Sequence, residues 1–588
     1  MNKAELSMAK KGEYSRHAEE YDIRAEKKET RFGVNYKWIA LSNTTLGVLI
    51  ATIDSSILII SLPAIFNGLG VNPLTPGNIT LLLWLLVGYI ITSSVTVVTI
   101  GRLSDMFGRV RLYNLGFLVF AICSTLLWIS TYLVHGTEGV ISLVVIRLFQ
   151  GLGGAFLFAN GTAILTDAFP HNERGKALGI NQIAGVSGSL IGLVLGGILA
   201  AIDWHLVFLV SVPISVFGTI WAYFALHELA TIKKDQKLDI LGNAAFAVGL
   251  TLILASLIYS LLPYGGSSSG WTDPWVIGGL AAGIVMLIAF VYIEKKSKDP
   301  MFHLELFKIP TFSLGNLSLF LSGMARGGLQ FVLIIWLQGI WLPLHGVNFI
   351  NTPFQAGIDM TPLILGFLVA GPLFGTLSDK YGSRLFSTLG MLVGVAGFIA
   401  LLFLPINFNF YVFAPIIFLL GIGQGMFAAP NTAAVMNSVP PETRGATAGM
   451  RATLMNVSFM FSLVIFFSLL VLGVSTDLSG ALYHGLVAQN VSSSVALGIS
   501  KLPPTTVLFA ALLGYNPMES LLPQSVLSSL PATNRNAILG TSFFPTLISK
   551  PFVSGLHIVF YIGAAFALIA AIASAVKRRE KPGTGRGR

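Results

Sequence analysis

Two charged side chains and one amide in this sequence stand inside apolar stretches long enough to span a bilayer. Asp54 lies in the stretch 38–66, and Arg147 lies in the stretch 140–165, with Gln150 three residues beyond it. Residues three apart share a helix face, so Arg147 and Gln150 would act at one place. A charge at mid-bilayer costs about 2.5–3.5 kcal/mol, so each must face a cavity or a partner. A carboxylate there can exchange a proton for a substrate; the alternatives are a fixed ion pair and a helix-packing hydrogen bond.

A third charge at membrane depth, Arg326, lies near the middle of the apolar stretch 311–337, and no motif surrounds it. A guanidinium group in that setting needs compensation from a carboxylate, from helix ends or from water. It either binds an anionic group of a substrate or forms an ion pair across the interface between the two halves of the molecule. The sequence leaves both interpretations open.

Composition indicates which elements must hold these side chains. Of the 588 residues, 54% are hydrophobic and 11% are charged, and the mean hydropathy is +0.77. Soluble domains carry about 25% charged residues, so much of the usual solvated surface is missing. Fourteen apolar segments of about 20 residues, the length that spans a bilayer, lie between residues 38 and 576, and the last is 556–576. The sequence predicts an all-α membrane protein with fourteen transmembrane helices.

The net charge of +10 reflects where the basic residues lie. Lys and Arg concentrate in both tails and in alternate connections, among which we count Arg444 and Arg451. This positive-inside bias predicts a multi-pass protein of the cell membrane with both termini in the cytoplasm, and it removes the reason to expect a nucleic-acid partner. We expect a disordered cytoplasmic tail over 1–37 and a basic cytoplasmic tail over 577–588.

A repeated pattern divides the helices into two sets. The sequence NGTAILTDAFPHNERGKALG at 160–179 returns in weaker form as NTAAVMNSVPPETRGATAG at 431–449. The repeat aligns the first six helices with the last six, and a substrate site between such halves lies near the midplane. The sequence therefore predicts an N-terminal six-helix bundle over 38–230, two extra transmembrane helices over 231–300, and a C-terminal six-helix bundle over 301–576. The second bundle would include a long outer loop at 474–555.

A second repeat joins pairs of apolar segments by tight, charged turns. The run GRLSDMFGRVR at 101–111 has a weaker copy, GTLSDKYGSR, at 375–384. The pattern resembles the signature loop of the major facilitator superfamily, which occurs once in each half of those transporters. The resemblance implies the major facilitator fold and a secondary transporter.

The same resemblance implies a cytoplasmic gate. In the family, the signature-loop aspartate caps a helix of the opposite half and contacts arginines when the cavity opens outward. Loop solubility alone would explain the arginines but not the repeated glycine–aspartate spacing. We therefore expect Asp167, just beyond the fourth apolar segment, to join a charge network with the loop residues. The candidate gating residues are Gly101, Asp105, Gly108, Arg109, Asp167 and Asp379.

Further motifs are similar to those of the fourteen-helix drug:proton antiporter branch. They are IDSSILIISLP at 53–63, Trp84 with Tyr89, RLFQGLGGA at 147–155 and PMFHLELF at 300–307. The resemblance assigns proton coupling to Asp54 and Arg147, with Gln150 on the same face. We group Tyr89 and Arg326 with them as candidate coupling or substrate residues.

Glycines in the fifth apolar segment follow the spacing of the antiporter motif. They are Gly188, Gly192, Gly196 and Gly197, and Ala184 extends their strip by one turn. Small residues four apart let a neighbouring helix approach closely. Leu193 stands where the antiporter motif has proline, which weakens the inference of antiport more than the inference of fold. We expect close helix packing along this strip.

These features predict a proton-coupled antiporter that exports small amphipathic compounds as a monomer in the bilayer. The alternative is a narrower carrier for an organic anion or metabolite, with Arg326 as its handle; a channel or a non-transporting receptor fits the duplicated gating loops less well. The sequence contains no Walker phosphate loop and no His-Glu-x-x-His pattern, so we expect no enzyme, no cofactor and no metal. The outer loop would pack as short helices over the outer mouth or lie at the lipid surface.

Overall fold

Fourteen long helices make up most of the chain in the computed structural model. It describes residues 35–72, 77–170, 173–229, 239–297, 300, 302, 304–440, 443–513 and 516–577. The tails predicted at 1–37 and 577–588 lie outside these residues except for 35–37 and 577. All fourteen helices are apolar and long enough to cross a membrane, as the sequence predicts. In chain order they are α1 (Tyr36–Gly68), α2 (Asn78–Phe107), α3 (Arg109–Leu133), α4 (Gly136–Ala168), α5 (Arg174–Ile202), α6 (Leu206–Ala225), α7 (Ile240–Tyr259), α8 (Pro274–Lys296), α9 (Pro310–Leu344), α10 (Thr352–Tyr381), α11 (Ser383–Leu402), α12 (Phe410–Asn437), α13 (Arg444–Ser475) and α14 (Phe543–Val576).

The first six and the last six helices pack by one scheme. In the N-terminal half α1 lies along α5, α2 along α4, and α3 against α4 and α6. In the C-terminal half α9 lies along α13, α10 along α12, and α11 against α12 and α14. The halves meet through α2 with α13 and through α5 with α10, which are equivalent pairs under the repeat. The two linking helices pack on each other, and α7 also contacts α2 and α13 beside this interface.

Two glycines make the sharp turns at one end of the bundle. Gly108 separates α2 from α3 with a φ of 106°, and Gly382 separates α10 from α11 with a φ of 91°. Side chains rarely adopt these angles, so the turns require glycine. We call this end, defined by Gly108 and Gly382, the signature face, and the other end the opposite face. On the opposite face, hydrogen bonds from the His205 side chain and backbone lower the pKa of the Asp203 carboxyl.

The loop predicted at 474–555 is too long, because α14 begins at Phe543 rather than at 556. Lys550 and Pro551 interrupt the apolar pattern there, but Phe544, Ile548 and Phe552 are buried and hold the added turns in place. Similarly, α9 continues beyond the predicted end at 337 through a π-helical turn at Leu337–Trp341.

Short helices make up most of residues 476–513 and 516–542, which we call the outer segment. Pro504–Leu513 is the most apolar of them, and it packs against the π-helical turn of α9, against α13 and against α1. Gly339 permits this contact, since a Cβ there would lie 2.5 Å from the Cβ of Ala511. The outer segment therefore packs over helix ends at the opposite face. Its helices are Leu478–Ala488, Ser493–Ser500, Pro504–Leu513, Met518–Leu521, Gln524–Ser529 and Ala532–Leu539.

Candidate functional site

A buried polar cluster lies inside the N-terminal half. Arg147 of α4 forms an ion pair with Asp54 of α1, and its Nη1 donates a hydrogen bond to Oε1 of Gln150 at 2.7 Å. The Gln150 amide donates to Oδ1 of Asp54 at 3.0 Å and to the Ser124 hydroxyl at 2.9 Å. The Ser211 hydroxyl of α6 lies 3.4 Å from Asp54. Asp54 of α1 thus receives a cation and an amide donor from α4 and a hydroxyl from α6, while α3 holds the amide through Ser124.

Tyr89 of α2 completes this cluster. The guanidinium carbon of Arg147 lies 5.0 Å from the centre of the Tyr89 ring, a cation–π distance. The Tyr89 hydroxyl is buried, and the residues that the structure describes give it no hydrogen-bond partner. Gly154 makes room for it, since a Cβ there would lie 2.1 Å from the hydroxyl. The Tyr89 hydroxyl is therefore an unused hydrogen-bonding group beside Arg147, available when the ion pair rearranges.

A separate cavity lies between the two halves. Its wall includes Arg326 of α9 and Arg451 of α13, and none of its described wall residues is Asp or Glu. The other wall residues are Val48, Phe158, Thr162, Asn181, Gln182, Leu319, Ser322, Gly323, Phe367, Met391, Gln424, Phe427, Ala428, Thr432, Ala448, Ala452 and Met455. The cavity thus combines amides, aromatic rings and two cations.

The structure divides the predicted coupling and substrate residues between these two places. Asp54, Arg147, Gln150 and Tyr89 come together, and they point into the interior of the N-terminal half rather than into the cavity. Arg326 lines the cavity instead. The five residues therefore do not share one pocket. Asp54 lies on a different face of α1 from the cavity residue Val48, and Arg147 lies about three turns along α4 from the cavity residue Phe158.

Arg451 is the cavity residue that the sequence reasoning missed. We counted it among the connection charges, but α13 begins at Arg444, so Arg451 lies two turns inside the helix. A usable signal was present in the repeat. Asn181 stands seven residues after Arg174 and Arg451 stands seven after Arg444, and both line the cavity.

A buried charge network joins the halves at the signature face. The Arg109 guanidinium donates to Asp105, with Nη2 at 2.9 Å from Oδ1, and also forms an ion pair with Asp167. Arg444 of the C-terminal half lies 3.5 Å from Asp167. The other Asp105 oxygen accepts from the backbone N–H of Ala446 at 3.1 Å, in the first turn of α13. Asp105 and Asp167 thus hold α13 against α2 and α4.

The second copy of the signature loop makes equivalent contacts, but fewer of its contacting side chains are charged. Asp379 accepts from the backbone N–H of Lys176 at 3.3 Å, in the first turn of α5, just as Asp105 does at α13. Arg174 donates to the Asn437 side chain at 3.1 Å. In this copy Ser383 stands in place of Arg109, and Asn437 in place of Asp167. Gly101 is buried one turn before Asp105, and the Ser104 hydroxyl donates to its carbonyl.

The glycine strip of α5 packs on α1. A Cβ at Gly188 would lie 2.8 Å from the Leu49 carbonyl oxygen, and one at Gly192 would lie 2.5 Å from that of Ile53. Gly196 meets Ile57 in the same way, and its own carbonyl accepts from Ser61. Gly197 lies on another side of α5, where it faces Phe354 of α10. The strip therefore serves packing within one half, and Gly197 serves packing between the halves.

The chain is similar to known proteins in sequence and in fold. A family model described as Major Facilitator Superfamily matches residues 44–291 and 240–463. Riboflavin transporter RibZ of Clostridioides difficile (strain 630) is 29% identical over 436 residues, which is 74% of this chain and 88% of that protein. Multidrug transporter protein MdtP of Bacillus subtilis (strain 168) is 24% identical over 540 residues, covering 91% of this chain and 92% of that protein. Among solved structures, the proton:xylose symporter XylE aligns with a TM-score of 0.52 at 15% identity, covering 83% of this chain and 96% of that chain.

Proposed function

The chain belongs to the Major Facilitator Superfamily, and we propose that it is a proton-coupled antiporter that exports small amphipathic compounds from the cell. It is a multi-pass membrane transporter rather than an enzyme. The proposal adds the coupling ion, the direction and the substrate class. It rests above all on the buried cluster of Asp54, Arg147 and Gln150.

The cluster supports proton coupling because its partners change with one proton. While Asp54 is ionised, Arg147 is paired and its charge is balanced. A proton on Asp54 removes that balance, so Arg147 must find another acceptor, and Gln150 and Tyr89 lie within reach. Because a lone cation at this depth is costly, protonation favours a different arrangement of α1 and α4. In the repeat, Phe418 and Gly421 of α12 stand where α4 has Arg147 and Gln150.

The interface supports alternating access. The cavity opens between the halves, and α2 with α13 and α5 with α10 must separate for it to reach either side. The buried ion pairs at the signature face form only while that face is closed. Contacts formed in one conformation bias a two-state equilibrium, which is how a gate acts. We place this face in the cytoplasm, with both termini, from the positive-inside bias.

The substrate class rests on the cavity wall and on the relatives. Phe158, Phe367 and Phe427 offer apolar surface, while Asn181, Gln182 and Gln424 offer hydrogen bonds. This mixture suits molecules with an apolar body and a polar end. The name of MdtP describes a multidrug transporter, which favours export of such compounds by this chain as well. One proton moved across 100 mV supplies about 2.3 kcal/mol, enough for nearly fiftyfold accumulation.

Flux measurements on the full chain in liposomes test the proposal. We expect saturable flux of an amphipathic dye that a proton gradient accelerates, and we expect Asp54→Asn to lose the acceleration. Asp203→Asn makes the same chemical change at a partly exposed site on the opposite face and should behave as the parent protein does. Flux that neither saturates nor responds to the gradient would indicate a channel. Binding without flux would indicate a receptor.

A further inference from the structure

The central cavity holds two cations for which the part of the chain that the structure describes supplies no anion. Arg326 and Arg451 both line it, and neither forms an ion pair with any described residue. Their guanidinium groups stay protonated at every physiological pH. By contrast, Arg147 and Arg109 each have a carboxylate partner inside the protein. The cavity therefore carries a positive charge that the described fold leaves unbalanced.

The described protein groups satisfy only part of the hydrogen-bonding capacity of Arg451. Its Nη2 donates to the Thr432 hydroxyl at 2.7 Å, whereas Nη1 is buried and has no hydrogen-bond partner among the described residues. The whole residue is 7% exposed. Leaving a buried donor without an acceptor is unfavourable, and more so when the donor is charged. A group that enters the cavity with acceptor oxygens would recover this energy.

We propose that the transported compound carries an anionic group, a carboxylate or a sulfonate, which Arg326 and Arg451 bind at the interface of the halves. This inference rests on the proposed carrier function and names the substrate class of its cavity. A planar guanidinium matches two oxygens of such a group. The apolar body would lie against the remaining wall, formed by Phe158, Leu319, Phe367, Met391, Phe427 and Met455.

The electrostatics also exclude the opposite substrate charge. A cationic amphipathic compound would meet two like charges and no described acidic residue in the wall. Like charges brought together at low dielectric repel strongly. Both arginines belong to the C-terminal half, while Asn181 and Gln182 face them from α5. An anion bound between them would therefore draw the two halves together.

Equilibrium binding separates this inference from proton coupling, because it needs no gradient. Three probes share one ring system and differ in charge: naphthalene-2-carboxylate, its neutral amide and naphthalen-2-ylmethylammonium. We expect the purified full chain in lipid nanodiscs to bind the carboxylate at least tenfold more tightly than the amide, and to bind the ammonium least. Arg326→Gln and Arg451→Gln should each remove at least tenfold of the carboxylate affinity and leave the affinity for the amide unchanged.

Two further variants serve as controls. Arg451→Lys retains the charge but loses the planar fork, so it should lose affinity by an intermediate factor. Arg535→Gln removes a positive charge from the outer segment, away from the cavity, and should change nothing. Preference for the amide or the ammonium, or carboxylate binding that survives both glutamine variants, would overturn the inference. If the carboxylate binds as expected but its flux ignores a proton gradient, the substrate class stands and the coupling proposal fails.

Discussion

Arg174 and Arg444 hold equivalent positions in the two halves, and each reaches across the interface to the fourth helix of the opposite half. Arg174 donates to Asn437 at 3.1 Å, and Arg444 lies 3.5 Å from Asp167. One contact therefore joins a cation to an amide, and the other joins a cation to a carboxylate. Comparing these two contacts therefore measures how much a carboxylate partner, rather than an amide, stabilises the closed signature face.

Asn437→Asp should strengthen closure, because it gives Arg174 the same partner that Arg444 has. The site is partly exposed, so the added ion pair contributes about 1 kcal/mol and slows opening about fivefold. Single-cysteine labelling can follow this. With Cys123 replaced by serine, a cysteine at Thr453, which donates across the interface to Ser94, becomes reactive only when the halves separate. Ser438→Asp adds the same charge at the adjacent residue and should leave the labelling rate unchanged. Equal labelling in Asn437→Asp and the parent protein would show that charge does not hold this face closed.

The two signature aspartates should differ in importance. Asp105→Asn leaves the buried Arg109 with one carboxylate fewer, and breaking a buried ion pair costs about 3–5 kcal/mol. Asp379→Asn changes an acceptor for a backbone N–H at an exposed site, where a charge at a helix N-terminus contributes about 0.3–1 kcal/mol. We expect at least a tenfold loss of transport rate for Asp105→Asn and less than threefold for Asp379→Asn. Similar losses in both would favour a role for the turn itself over the charge network.

Sequence reasoning predicted the helices and the repeat because both depend on local patterns. Apolar length gives the fourteen helices, and the repeated Arg-Gly step aligns the first six helices with the last six; the starts of α5 and α13 at Arg174 and Arg444 come from the structure. Proximity of Arg109 and Asp167 was also predictable, since both lie at the same end of adjacent helices. These relations need no knowledge of how a helix is rotated about its axis.

Helix rotation is what the sequence left undetermined. Asp54 and Arg326 both sit at membrane depth, yet one points into a bundle and the other into the cavity between bundles. Apolar residues surround both positions, since lipid, core and cavity walls all accept them. Arg451 was misread for a related reason: a charge near a helix start looks like a connection charge until the start of the helix is fixed.

Removing the charges of both Asp54 and Arg147 should separate the effect of their ion pair on stability from its effect on proton coupling. Asp54→Asn alone leaves Arg147 buried and unpaired, so we expect a loss of stability of about 3–5 kcal/mol. The double variant Asp54→Asn/Arg147→Gln removes both charges and should recover most of that stability. It should still lack proton-driven flux, because the cluster then has no carboxylate that can exchange a proton. Thermal melting in detergent and flux in liposomes measure the two properties. A double variant that keeps proton-driven flux would remove the cluster from the mechanism.

Gly192 tests whether α1 and α5 are packed as one rigid unit. A Cβ at this position would lie 2.5 Å from the Ile53 carbonyl oxygen, which is backbone and cannot turn aside. Alanine would therefore force the two helices apart, at a cost of about 1–3 kcal/mol. Gly185 is the matched control on the same helix, because a Cβ there would meet only side chains, the nearest being Val48 at 3.2 Å. Alanine favours a helix by about 1 kcal/mol over glycine, so Gly185→Ala should be neutral or stabilising.

We expect Gly192→Ala to lower the melting temperature by several degrees relative to Gly185→Ala. Because the strip lies within one half, its loss should weaken the bundle without changing which probe the cavity prefers. The cluster residue Asp54 follows Ile53 directly, so a shift of α1 should also weaken proton-driven flux more than exchange at equal pH. Unaltered melting would show that α1 can move away from α5 at little cost, and the N-terminal half would then not move as a rigid body.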